Sequence, residues 1–310
     1  MSDEGRSLDK VDKTLHYYFS YFTRLSRSAI WPLFKRTLDR PVFILGCSRA
    51  GTTLVYKIFS AADELGSLQY ETHDIWAGLH PLSERDWNSH ELDMKDARVY
   101  DSQYMARYFF INTGTLRVVD KNNQNGLCVP YLNALYPDAV FVYVKRSPGD
   151  NLNSLIEGWN KPDEFATWSD ELPAKLSISG GRFSRWCFFL PPGWRDYLDA
   201  EIEEVCAYQY AMMNQVIMDV RETIPSSRWI EIRYEDLLLR PEETVSQAFA
   251  MAGLQFTSAY RQRLKQVLST PHNAFSEIRA EKWKEGAHRS KIETVLPSLR
   301  PIAARMGYQL

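Results

Sequence analysis

The sequence predicts an α/β fold in which a central, mostly parallel sheet carries helices on both faces. Short apolar runs, among them Val42–Leu45 and Ala139–Val144, alternate with helix-forming stretches, and strands joined through helices pair in parallel. Both runs also end at a distinctive loop: Gly46 to Gly51 after the first, Lys145-Arg146 after the second. Such loops fall at the carboxyl edge of the sheet, where open α/β folds bind their ligands.

Taken in order, residues 1–12 are polar and expected to fray. From Thr14 to Leu38, aromatic residues mix with Arg24, Arg27, Lys35 and Arg36 at spacings that suit an amphipathic helix, interrupted at Pro32. Packing across the main sheet, or against a second subunit in a homodimer, is the preferred reading of this stretch. Peripheral contact with a membrane surface is the alternative. The chain thus divides into an N-terminal helical segment, 1–40, and one α/β domain, 41–310.

Within that domain, Val42–Leu45 is a buried strand and residues 52–62 a helix. Leu65–Tyr70 is expected as a second short strand, followed by Glu71, Thr72, His73 and Asp74. Residues 75–107, with Pro81 and several Trp and His, read as loops and helices. Leu116–Lys121 forms a strand that ends in charge, Val129–Tyr136 a helix, Ala139–Val144 a strand and Asn151–Trp159 a helix. Residues 160–200 contain Pro162, Pro173, Gly180-Gly181 and Pro191-Pro192-Gly193, which interrupt regular structure and suggest a loop or lid insertion. Helix Glu201–Thr223, strand Trp229–Arg233, helix Glu242–Ala252 and a last helix around Leu299–Met306, with Pro301 in its first turn, complete the chain.

Composition narrows the function. At 310 residues the chain is long enough for one or two domains, and its formal net charge of −2 gives no global basic field for nucleic acid. Cys47, Cys128, Cys187 and Cys206 lack metal-ligand spacing and are expected to remain thiols. No apolar run approaches the roughly 20 residues that span a bilayer, and the start MSDEGRSLDK is unlike a signal peptide. A cytoplasmic location is the expectation.

Two segments carry chemistry. Gly46-x4-Gly51 has the spacing of a Walker A loop, but Thr52 stands where that loop has its lysine and the cation comes earlier, as Arg49. A strand, a glycine turn and a helix N-terminus leave free amides at Gly51, Thr52 and Thr53, which with two hydroxyls can cradle a phosphate-like dianion. A glycine-rich turn entering an ordinary helix is the plainer alternative. At residues 145–159 the logic repeats: an apolar strand delivers Arg146, and Ser154 lies eight residues on. Here a charged strand end and a helix cap would be the plainer account.

The basic residue followed by Gly-Thr-Thr resembles the 5′-phosphosulfate loop of the sulfotransferases, which use 3′-phosphoadenosine 5′-phosphosulfate (PAPS). Arg146, Pro148, Asp150 and Ser154 fit R-x-P-x-D-x3-S, similar to the 3′-phosphate site of that family. Tyr234-Glu235-Asp236-Leu237 resembles its strand-end element with a tyrosine beside the adenine. Lys282-Trp283-Lys284 resembles the closing tryptophan segment, without the longer glycine-rich basic pattern of the hormone and phenol enzymes. The matches run in order from residue 41 to about 307.

The resemblance implies a P-loop-like sulfotransferase fold, PAPS as co-substrate and no metal. Arg49, Ala50, Gly51, Thr52, Thr53, Arg146, Ser154, Tyr234, Trp283 and Lys284 would hold the nucleotide, with Lys145 adding charge near its ends. Glu71 is the first candidate for the base and His73 the second, Lys121 would point at the sulfuryl group, and Arg49 would neutralise the leaving phosphate. The expected partner is a small or lipid hydroxyl compound, lipophilic or aromatic. Trp186, Phe188, Phe189, Leu190 and Trp194 are either its aromatic lid or ordinary core. A small-molecule kinase and a non-catalytic nucleotide-binding protein are the competing functions.

Overall fold

The computed structural model describes residues 18–34, 37–270 and 281–310. Four strands, β1 (Val42–Leu45), β2 (Val119–Lys121), β3 (Val140–Lys145) and β4 (Trp229–Arg233), form an all-parallel sheet in the order β2-β1-β3-β4. Val42 lies opposite both Val119 and Val140, and Lys145 opposite Arg233. All four carboxyl ends therefore open on one edge.

Alternation along the strands builds two cores. Phe43, Leu45, Phe141 and Tyr143 face one side, covered by helices Val99–Thr113, Val129–Leu135, Pro148–Trp159, Ile202–Val220 and Arg289–Arg305. Val42, Ile44, Val140, Val142 and Val144 face the other, under helices Thr52–Ser60, Pro241–Ala252 and Ser258–Ser269. Burial on both faces is why β1 and β3 read as unbroken apolar runs.

Several expectations change. Leu65–Tyr70 is not a strand: Gly66 alone makes an isolated parallel bridge to Val118. Gln69 then adopts a left-handed φ of 65°, which turns the chain out of the sheet direction just before Glu71. The last helix begins at Arg289 rather than Leu299 and carries Pro297 and Pro301 inside it. Its buried Ile292, Val295, Leu299, Ile302 and Ala303 form one stripe, so packing outweighs the lost backbone bonds.

In the N-terminal segment a helix covers 18–30 and a short turn Trp31–Leu33 follows, while residues 14–17, 35 and 36 of the expected stretch lie outside the described residues. Phe19, Phe22 and Leu25 face outward, so this helix does not pack across the sheet. It is tethered by its end instead, where Trp31 and Phe34 rest on Phe110 with ring centroids 5.6 and 4.4 Å apart. Among the described residues no helix is long and apolar enough to cross a membrane.

The aromatic cluster of residues 186–194 is core. Trp186, Phe189, Leu190 and Trp194 are fully buried, Trp186 Nε1 donates to the Phe189 carbonyl at 2.8 Å and Trp194 Nε1 to that of Trp87 at 2.8 Å. Only Phe188 of the group reaches the cleft described below. Trp186→Ala is accordingly expected to cost about 3–5 kcal/mol of stability, read from the urea midpoint.

Candidate active site

The loop after β1 is shaped by two glycines that no other residue can replace. Gly46 has φ +146°, and a Cβ there would lie 2.7 Å from the Val144 carbonyl oxygen; Gly51 has φ +97°, and its Cβ would lie 2.2 Å from the Tyr234 ring. Gly51 caps helix Thr52–Ser60, so the first amides of that helix open into the loop. Between the glycines Arg49 also takes a left-handed φ of 68°. That turn directs its side chain across the loop to helix Pro148–Trp159, where Nε donates to Ser154 Oγ at 3.2 Å.

Arg146 reaches the same place from β3. Its Nη1 donates to the Arg49 carbonyl at 2.7 Å, and its guanidinium lies 4.8 Å from the centroid of Tyr234. Burial, and next the charge of Arg146, bring the Arg49 guanidinium down to about 10. Two guanidiniums, Thr52, Thr53 and Ser154 all line one cleft of about 590 Å³. Arg146 Nε and Ser48 Oγ are buried there without a partner among the described residues, so the cleft offers unspent hydrogen-bonding groups to an anion.

Beside this cradle, buried Lys121 at the end of β2 donates from Nζ to Glu71 Oε1 and, at 3.3 Å, to Thr53 Oγ1. A fixed ammonium thus joins the anion loop to a carboxylate. Glu71 is positioned from its own backbone, because Thr72 Oγ1 donates to buried Asp120 Oδ1 at 2.7 Å and Asn125 Nδ2 donates to Oδ2 at 3.3 Å. Burial raises the Asp120 carboxyl against the pull of those donors. His73 lines the same cleft, with Nε2 3.3 Å from Asp74 Oδ1.

The remaining expected residues divide. Tyr234 lines the cleft on Gly51. Trp283 lies against Gly149, where a Cβ would be 2.3 Å from its Nε1, and the Asp150 carboxylate accepts from the backbone N–H of Glu281 at 2.7 Å and of Trp283 at 3.4 Å. This clamp sets the C-terminal segment on the N-terminus of helix Pro148–Trp159. Lys284 is not in the cleft: its ammonium pairs with Glu281, and Lys282 lines the cleft instead. Lys145 is drawn away too, to Glu231 on β4 at 2.6 Å. Ala50 is turned into the core, its N–H bound to the Cys47 carbonyl at 3.1 Å.

Sequence reasoning missed His90, Gln124 and Trp168, all of which line the cleft. No spacing marks them; only the Trp- and His-rich composition of 75–107 hinted at the first. Burial pushes His90 down to about 3. The unfolded chain protonates this histidine near its ordinary value of about 6.5 and the folded chain does not, so stability falls as pH drops from about 6.5 toward 3. His90→Asn keeps an acceptor in place of Nδ1 but does not titrate. The loss of stability between about pH 7 and pH 5, read from urea midpoints, should be smaller in that variant by about 2 kcal/mol.

Residues 41–172 and 179–258 match a family model described as the sulfotransferase family. Among solved structures, sulfotransferase STF9 from Mycobacterium avium superposes with a TM-score of 0.55 at 15% identity, over 87% of this chain and 76% of that one. A sulfotransferase domain from the curacin biosynthetic pathway superposes with a TM-score of 0.54 at 17% identity, over 88% of this chain and 99% of the other. These two share the fold. A comparison with curated proteins finds no match. The family model spans well over half of the sequence, including the loop around Arg49 and the strand end at Arg146, and the chain belongs to the sulfotransferase family.

Proposed function

We propose that the protein transfers a sulfuryl group from PAPS to the hydroxyl of a small acceptor. One observation carries the reading: Arg49 and Arg146, 97 residues apart in sequence, touch each other and line a single cleft. A ligand anionic at two points, such as a bisphosphorylated adenosine, would meet both cations at once.

Transfer resembles phosphoryl transfer in its demands, so positioning and charge stabilisation supply most of the rate. Glu71 takes the proton of the acceptor hydroxyl. The acceptor oxygen forms a bond to sulfur as the bond from sulfur to the 5′-phosphate oxygen breaks, and the electron pair stays on that phosphate. Arg49, the amides at Gly51 and Thr52 and the hydroxyls of Thr52 and Thr53 neutralise it. Lys121, between Glu71 and Thr53, stabilises the oxygens in transit. Arg146 and Ser154 hold the 3′-phosphate, with Tyr234 beside the adenine.

Calorimetric titration tests this directly. 3′-Phosphoadenosine 5′-phosphate (PAP) is expected to bind at least about ten-fold more tightly than ATP with magnesium, because each charge-assisted hydrogen bond to the 3′-phosphate contributes roughly 1.5–3 kcal/mol. Equal affinities together with ATP turnover would favour the kinase reading and overturn this one.

A further inference from the structure

The cleft contains two buried polar side chains that neither the anion cradle nor the base employs. His90, 6% exposed, accepts from the Leu190 backbone N–H through Nδ1 at 2.7 Å, and its own backbone N–H returns to the Leu190 carbonyl at 2.8 Å. With Nδ1 accepting, the proton of the neutral ring sits on Nε2. That N–H has no partner among the described residues, and the ring lines the cleft. Gln124, 9% exposed, lines it as well; its backbone N–H is bound to Asn122 Oδ1 at 2.7 Å, while its side-chain amide has no partner among the described residues.

Around them the wall is aromatic. Trp168 meets the His90 ring edge-on at 4.8 Å, and Trp87 and Phe188 add further aromatic surface to the same cleft. Gln124 follows Lys121 by three residues, so their Cα atoms are at most about 11 Å apart. A compound the size of one substituted ring can place one end at Lys121 and the other at this pair.

We infer that His90 and Gln124 are specificity residues for the sulfuryl acceptor, selecting a molecule that carries a second oxygen function, a hydroxyl or ether, besides the hydroxyl that reacts. The inference rests on the transferase reading and names the acceptor class for it. A purely apolar acceptor would cover the Nε2–H and the amide and leave both unsatisfied, at about 1–3 kcal/mol each. A second oxygen accepts from Nε2–H, and the amide, both donor and acceptor, adapts to either side of it. His90 cannot itself serve as the base, since its one free lone pair is already engaged by Leu190.

The test uses the full chain saturated with PAP and two phenols that share one carbon skeleton, 4-ethylphenol and 4-(2-hydroxyethyl)phenol. Calorimetry is expected to give the diol at least about ten-fold tighter binding than 4-ethylphenol. His90→Asn retains an acceptor for Leu190 and loses the Nε2 donor, so the preference should shrink to about two-fold with little loss of thermal stability. His90→Gln keeps a donor near Nε2 and loses the bond to Leu190, so the preference should persist while stability falls. Tighter binding of 4-ethylphenol, unchanged preference in His90→Asn, or no binding of either phenol to PAP-loaded protein would overturn the inference. Failure to bind PAP at all would instead remove the transferase reading beneath it.

Discussion

Glu71→Gln is expected to lower the rate constant for sulfuryl transfer by about 10²- to 10⁴-fold, the range for loss of a positioned proton acceptor, while PAP binds within about three-fold of the wild-type affinity. Glutamine keeps the length of the side chain, and its amide oxygen can still accept from Lys121 Nζ, which stays beside Thr53 Oγ1. What it cannot do is take a proton. The substitution therefore separates chemistry from binding, because the nucleotide contacts Arg49, Arg146 and Ser154 are held by one another. Single-turnover transfer and PAP calorimetry on the same preparation read the two effects. Should Glu71→Gln retain full transfer while His73→Gln loses it, the proton goes to the imidazole, which lines the same cleft. Full transfer by both variants would remove the base from this edge of the sheet.

The parts of the fold legible in the sequence are those fixed by local chemistry. β1 and β3 were readable because burial on both faces demands unbroken apolar runs, and the loop between Gly46 and Gly51 because its backbone conformation demands glycine. The two anion motifs were readable for a similar reason: a cation just past a strand and a hydroxyl in the helix that follows are visible one segment at a time. That they share one cleft was not visible, since it depends on β1 and β3 being neighbours. Leu65–Tyr70 misled because its apolar residues suit a strand, whereas the positive φ at Gln69 leaves only the bridge at Gly66. Lys145 and Lys284 misled because a cation in a motif can be claimed by a carboxylate from a distant strand or the next turn, as Glu231 and Glu281 do. His90 and Gln124 had no local signature at all. Their significance lies in lacking partners, and a sequence does not record who is absent.

Arg49 supplies the second large effect, and here stability and activity should part company. A non-glycine residue at φ 68° sits in left-handed backbone at a cost of about 1 kcal/mol or more. Such strain persists where it performs a task, and at this position it sends the guanidinium to Ser154 while the carbonyl receives Arg146. Arg49→Gly relieves the backbone and removes the cation that would meet the charge growing on the leaving phosphate. The expected result is a thermal midpoint equal to or above that of the wild type, with kcat/KM for transfer lower by about 10²- to 10³-fold, as for loss of one preorganised donor to a developing oxyanion. Arg49→Lys restores a charge but has no Nε fork to keep Ser154 while facing the ligand, so it should recover part of the rate and keep the strain. A glycine variant that folds better and transfers as fast as the wild type would mean that the left-handed turn serves the loop alone, and that the leaving group is neutralised by Arg146 and the helix amides without it.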